Sequence, residues 1–190
     1  LQILHDVASG LECVHQHNQV HLDVKSDNVL LTKNRRAKLA DFETSKEMRN
    51  TYRDTKMALT FQWCAPEMLQ AMPQINSKCD IWSFGMLVFE MLTGEAPFAN
   101  VEKHKLVQTI VGGELPQMPK NANSGFQNLM RRCWAKDAAK RPTATELLLI
   151  LGEMMTRDCC GPCLSSVVLT TGMFCNQHAA FICFSCVPET

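Results

Sequence analysis

His21-Leu22-Asp23-Val24-Lys25-Ser26-Asp27-Asn28 sets a carboxylate, an ammonium and a carboxamide into one short stretch. A carboxylate orients a hydroxyl, an ammonium meets a phosphate, and a carboxamide oxygen faces a hard cation. Phosphoryl transfer needs that combination of positioning and charge neutralisation, with little covalent work from the protein. Asp41-Phe42-Glu43 follows, and then Ala65-Pro66-Glu67. Several short motifs in one order are far more specific than any of them alone.

Outward from this stretch, hydrophobic periodicity sets the surroundings. Leu4, Val7, Ala8, Leu11 and Val14 recur at helical spacing, which predicts an amphipathic helix ending near His17-Asn18 and delivering the chain to His21. Val29 to Leu31 and Ala37 to Leu39 flank the polar turn Thr32 to Arg36 and read as a hairpin with Asn28 and Asp41 at its ends. Asn76 to Leu92 is almost uniformly apolar, as a buried central helix would be, and Thr93-Gly94 stops it. Further helices are expected over Val101 to Val111, ended by Gly112-Gly113, and from Gly125 to Trp134. Thr143 with Glu146 three residues on forms a capping box before the apolar run Leu147 to Leu151. The fold class is mainly α.

With 190 residues, 46% hydrophobic and 20% charged, the chain can bury one sizeable core with a small appendage. Nineteen basic residues balance nineteen acidic ones, which leaves no electrostatic footprint for a nucleic acid. The longest apolar run, Ile81 to Leu92, is too short to span a bilayer and carries Glu90, so no membrane span is expected. Cys13, Cys64, Cys79 and Cys133 are scattered, whereas six of the ten cysteines fall between Cys159 and Cys186. That shift predicts a boundary between residues 1–155 and a cysteine-rich tail, residues 156–190.

From about Leu1 to about Met155 the ordered motifs resemble the C-terminal lobe of a protein kinase, a helical bundle with a small β-hairpin. The resemblance implies roles. Asp23 orients the substrate hydroxyl as base, Lys25 touches the transferring phosphate of ATP, and Asn28 and Asp41 hold magnesium. Thr60, seven residues before Glu67, helps orient Asp23 and Lys25. Glu67 and Arg141 form a buried ion pair, and Asp80 braces the catalytic loop from the start of the central helix. Lys25-Ser26-Asp27-Asn28 looks like the serine/threonine version of the loop, so the implied partners are ATP and a protein carrying Ser or Thr. Thr60-Phe61-Gln62-Trp63, Cys133-Trp134 and Lys140-Arg141-Pro142-Thr143 look most like the tyrosine-kinase-like group. Kinases of this type work in a cytoplasmic, reducing compartment, where free thiols persist. No glycine-rich phosphate loop, strand lysine or helix glutamate precedes Leu1, so the chain reads as the catalytic-loop lobe of a longer parent, inactive alone.

Two positions depart from the pattern. Leu22 stands where many kinases carry an arginine that grips a phosphorylated activation loop, although Thr51, Tyr52 and Thr55 remain modifiable. Glu43 replaces the glycine after Asp41-Phe42, placing a charge beside the magnesium site. Two readings stay open: a working enzyme, favoured by the complete set Asp23, Lys25, Asn28 and Asp41, and a pseudokinase scaffold that binds proteins without catalysis.

In the tail, Cys160-x2-Cys163 and Cys183-x2-Cys186 are separated by nineteen residues, the spacing of two thiolate pairs around one tetrahedral zinc. Cys175-x2-His178 lies between them, and the order resembles most of a RING-type finger, whose alternate pairs bind two zinc ions. On that resemblance Cys175 and His178 are half of a second site, Cys159 is a spare thiol, and the tail is a docking element for a protein partner, as in a ubiquitin-ligase-like adaptor. The alternative is a cysteine-rich stretch with no metal.

Overall fold

A computed structural model describes residues 1–42, 45–47, 60–120, 122–158, 172–175 and 180–183. Helix α1, Gln2–Gln16, buries Leu4, Val7, Ala8 and Leu11, the stripe its periodicity predicts. Strand β1, Gln19–Val20, leads into the quoted stretch, and β2, Val29–Leu31, pairs antiparallel with β3, Ala37–Leu39, in the register Val29 opposite Leu39. This is the expected hairpin. A pairing that the pattern did not reveal joins β1 to β4, Lys46–Glu47, with Val20 opposite Lys46. Strands of two residues are too short to show a period, so only the backbone ladder discloses them.

Helix α2, Ser77–Thr93, is buried without interruption from Cys79 to Phe89. A helix apolar on all sides must be enclosed on all sides. The Asn76 side chain caps its start by accepting from the Lys78 N–H, and Gly94 ends it in the left-handed conformation at φ 72°. At Gly85 a Cβ atom would lie 2.7 Å from both Cys133 Cβ and Trp134 Nε1. Only a residue without a side chain lets α2 lie this close to Cys133 and Trp134.

Helix α3, Lys103–Val111, starts two residues later than its apolar pattern suggests. The chain ahead of it is held in a turn: the Val101 N–H donates to the Phe98 carbonyl, and Phe98 sits at φ 58°. Helix α4, Ser124–Cys133, follows, capped by the Asn123 side chain. Helix α5, Ala144–Asp158, opens on the expected capping box, in which the Glu146 N–H donates to Thr143 Oγ1 and the Thr143 N–H donates to Glu146 Oε2. Those bonds from the Thr143 backbone and hydroxyl hold the Glu146 carboxyl below its usual range. The helix continues past Met155. Beyond it, β5, Gly172–Cys175, pairs antiparallel with β6, Ala180–Cys183.

The core is one cluster gathered around α2, with contributions from every helix. Cys64, Cys79 and Cys133 belong to it as free thiols. Burial pushes the Cys64 and Cys133 thiols up to about 12 and raises Cys79 as well, so these three act as small hydrophobes rather than nucleophiles. The described residues are mainly helical, as expected, and none of their helices is long and apolar enough to cross a membrane.

Candidate active site

Asp80, fully buried in the first turn of α2, shapes the loop from below. Its Oδ1 accepts the Leu22 N–H at 2.8 Å and its Oδ2 accepts the His21 N–H at 2.9 Å. His15 Nε2 lies 2.8 Å from the same Oδ2. Leu22 is held at φ 69°, a left-handed conformation that costs a branched side chain about 1–2 kcal/mol. Two charge-assisted bonds to a carboxylate outweigh that cost. The Leu22 side chain is buried in the core, so this position presents no cation to the loop that follows. Glu43, Thr51, Tyr52 and Thr55 lie outside the described residues.

The loop then turns its polar side chains onto one another. Lys25 Nζ lies 2.7 Å from Asp23 Oδ2 and donates to Thr60 Oγ1 at 2.8 Å. Thr60 Oγ1 in turn donates to Asp23 Oδ1 at 2.9 Å, closing a triangle. The Asn28 amide donates to both the carbonyl and Oδ2 of Asp23, at 2.8 and 2.7 Å. Asp23 and Asn28 are buried. The structure thus brings Asp23, Lys25, Asn28 and Thr60 together in one network, Thr60 arriving from a distant part of the chain.

Asp41 stands across the hairpin mouth. The Ala40 N–H donates to the Asn28 carbonyl at 2.9 Å, which sets Asn28 and Asp41 at neighbouring ends of β2 and β3. Asp41 is exposed and held at φ 63°, a conformation Asp tolerates better than most residues. Phe42 packs its ring 4.9 Å from that of His21, and His21 Nε2 lies 3.1 Å from the Ala40 carbonyl oxygen. With the Asn28 NH2 engaged by Asp23, its carbonyl oxygen is the atom left to face a cation. One carboxamide oxygen and one exposed carboxylate suit magnesium, which keeps water and phosphate oxygens in its remaining positions.

Several contributors carry little sequence signal. Asp6, in the apolar stripe of α1, accepts two nitrogens of Arg36 and the Ala37 N–H, and so pins the hairpin to the helix. Burial alone would raise the Asp6 carboxyl, but hydrogen bonds from Arg36, Ala37 and Gln2 together hold it below its ordinary value. An acidic residue inside an apolar stripe is the signal that could have found it. Glu90 is another, as the only charge in the apolar run Ile81 to Leu92.

The expected pair of Glu67 and Arg141 is formed, with Arg141 buried and Glu67 partly buried. Arg141 donates Nη2 to Glu67 Oε2 at 2.9 Å and Nη1 to Glu67 Oε1. Its remaining donors reach the Lys78 and Ala135 carbonyls, both at 2.9 Å, and its face lies 4.9 Å over the Trp82 ring.

Of the tail residues, Cys175 and Cys183 stand in β5 and β6, while Cys159, Cys160, Cys163, His178 and Cys186 lie outside the described residues.

The family described as protein tyrosine and serine/threonine kinase matches residues 1–151. The chain is 36% identical over 146 residues to mitogen-activated protein kinase kinase kinase 12 of Rattus norvegicus, an alignment covering 76% of this chain and 16% of the rat protein. Mitogen-activated protein kinase kinase kinase 13 of Homo sapiens is likewise 36% identical over 146 residues, with 76% and 15% covered. Germinal center kinase 3 of Caenorhabditis elegans is 35% identical over 162 residues, with 77% and 27% covered. The chain therefore spans about a sixth of the length of the first two relatives.

Proposed function

Because this chain belongs to the protein tyrosine and serine/threonine kinase family, with the serine/threonine, tyrosine-kinase-like character of its motifs, we propose that the protein containing it transfers the γ-phosphate of ATP to a Ser or Thr hydroxyl of another protein. The observation that carries this reading is the closed triangle of Asp23, Lys25 and Thr60. Asp23 Oδ1 and Oδ2 are fixed by Thr60, Lys25 and Asn28, so the carboxylate is aimed before substrate arrives and needs no reorganisation at the moment of reaction. It accepts the proton of the substrate hydroxyl. Lys25, already beside it, neutralises charge on the phosphoryl group as that group moves.

ATP supplies the phosphoryl group together with magnesium, which the protein kinase family uses. Asn28 and Asp41 are the residues proposed to hold the ion. The names of the mitogen-activated protein kinase kinase kinases suggest that the acceptor is itself a protein kinase. A cytoplasmic, reducing location goes with this reading. Against the rival of a catalytically silent scaffold stands the complete set Asp23, Lys25, Asn28, Asp41 and Thr60.

In the full-length protein, Asp23→Asn is expected to abolish transfer in a protein that still folds, since it removes the accepting carboxylate and almost no volume. Retained turnover in that variant would overturn the role of Asp23 as base, whereas no turnover in the unsubstituted full-length protein would favour the scaffold.

Residues 156–190 form a separate cysteine-rich unit in this proposal, with Cys160, Cys163, Cys183 and Cys186 on one zinc and Cys175 and His178 as half of a second site. Support comes from the spacing and from the β5–β6 register. Cys175 lies opposite Ala180, so Cys183 stands three ladder positions away, roughly 10 Å along the strands. That separation favours assigning Cys175 and Cys183 to different ions, since both ligands of one ion bind at about 2.3 Å. Metal analysis of the purified reduced protein tests it: zinc retained by the unmodified chain and lost in Cys163→Ser is expected, and no bound zinc would leave a cysteine-rich tail without metal.

A further inference from the structure

The hairpin that brings Asn28 and Asp41 together is three residue pairs long, and on β2 the Leu30 and Leu31 side chains are left exposed. A two-stranded hairpin of that size is marginal by itself in water. Strand β3 is the one that meets helix α1. The Thr32 N–H donates to the Arg36 carbonyl and the Ala40 N–H to the Asn28 carbonyl, both at 2.9 Å. Bonded and non-bonded pairs alternate in an antiparallel ladder, so Leu31 and Ala37 form a non-bonded pair and the Ala37 N–H points away from β2. That outward N–H belongs to a buried residue and ends on Asp6 Oδ2 at 2.9 Å.

One helical turn further along α1, Gly10 makes room for Leu39: a Cβ there would lie 3.1 Å from Leu39 Cδ1. Asp6 and Gly10 are about 6 Å apart along the helix axis, and Ala37 and Leu39 about 7 Å apart along the strand. The spacings match. Strand β3 is therefore seated lengthwise on α1 at two points, one a hydrogen bond and the other a close fit. Asp6 is steadied within its own helix by the Gln2 amide, which donates to its Oδ1 at 2.8 Å. Beyond Leu39 the strand passes to Ala40 and Asp41. Asn28, by contrast, is held by the loop, through the bonds of its amide to Asp23. The two proposed magnesium ligands thus take their positions from different elements.

We propose that Asp6 and Gly10 are positioning residues for magnesium: they set where β3 lies along α1, and through it the separation of Asp41 from Asn28. Neither touches the ion. The inference rests on the kinase reading above and concerns affinity for the ion rather than the rate once it is bound. Loss of the support behind a metal ligand costs roughly 10–100-fold in metal affinity, and a shift passed on through a strand falls at the low end of that range.

The test uses the full-length protein and its Asp6→Ala, Asp6→Asn, Gly10→Val and Arg36→Ala variants. Two quantities are read: the free Mg²⁺ that gives half-maximal transfer at saturating ATP, and Mn²⁺ bound beside a non-hydrolysable ATP analogue, followed by the EPR signal of the free ion. Asp6→Ala and Gly10→Val are expected to raise the half-maximal Mg²⁺ and weaken Mn²⁺ binding about tenfold, with kcat at saturating Mg²⁺ within about twofold. Asp6→Asn keeps an acceptor for the Ala37 N–H and Arg36→Ala leaves that bond in place, so both should stay within about threefold. Amide exchange across residues 37–41 should rise in the first two variants and not in the second two. Unchanged Mg²⁺ and Mn²⁺ dependence in a folded Asp6→Ala or Gly10→Val protein overturns the proposal, as does weakened binding with exchange as in the unsubstituted protein. An unsubstituted protein that binds Mn²⁺ but transfers no phosphate defeats the kinase reading alone, and the Mn²⁺ and exchange measurements then decide the positioning claim. One that binds no Mn²⁺ overturns both.

Discussion

Arg141 and Arg36 each grip a carboxylate with two nitrogens, yet the two pairs sit in opposite surroundings. In the Arg141–Glu67 pair the side chains are 0% and 12% exposed; in the Arg36–Asp6 pair they are 60% and 3% exposed. The buried arginine has no water to fall back on, and its other donors are spent on the Lys78 and Ala135 carbonyls. The exposed arginine remains solvated whatever happens to Asp6. Asp6 in turn keeps the Ala37 N–H and the Gln2 amide as donors if Arg36 is lost. The cost of cutting an ion pair is set less by the bond removed than by where the surviving charge is left.

Arg141→Leu should therefore have the largest effect, about 3–5 kcal/mol, because Glu67 is left partly buried without its partner and two carbonyls in the core lose their donor. Denaturant titration of the full-length protein measures it, and a loss below about 1 kcal/mol would erase the contrast between the two pairs. Asp6→Ala comes next. It leaves Arg36 in water but deprives the buried Ala37 N–H of its acceptor, for about 1–3 kcal/mol. Because Asp6 pins the hairpin that carries Asn28 and Asp41, the loss should be accompanied by faster amide exchange at residues 37–39. Stability loss without that local change would mean that Asp6 supports α1 rather than the hairpin.

Arg36→Ala should cost least of the three, and its mark is best read against pH. The Asp6 carboxyl in the folded protein lies below its ordinary value of 3.8, so at low pH the unfolded chain binds its proton first. Its contribution to stability is fully present above that ordinary value and is lost as pH falls through the lower folded value. Removing Arg36 should narrow this acid-side window, while leaving stability near neutrality close to that of the parent. A large loss at neutral pH would show that the exposed pair is coupled to the core like the buried one.

Much of the site was legible in the residue order, but unevenly. Asp23, Lys25, Asn28 and Asp41 stand in short motifs whose chemistry can be read from neighbours, and the hairpin that juxtaposes Asn28 with Asp41 follows from two apolar runs around a polar turn. The Thr143–Glu146 box was readable for the same reason, since both partners lie within one helical turn. Asp6, Glu90 and the β1–β4 pairing were not. Asp6 and Glu90 are single charges in apolar runs, where the pattern announces an exception without naming its partner. Lys46 and Glu47 form too short a strand for any period to register.

The sequence by itself determined the order of the motifs, the approximate positions of the helices and the atoms available for chemistry, because helical period, caps and turns depend on residues a few positions apart. Tertiary structure decided the bonds themselves: Asp80, whose bracing role the resemblance implied, holds the Leu22 backbone from 58 positions away, and Glu90 reaches Ser26 from 64. Each of those bonds requires α2 to be buried at one depth and one rotation beneath the loop. That placement is settled by the packing of the whole core around the helix, including the close approach that Gly85 permits to Cys133 and Trp134.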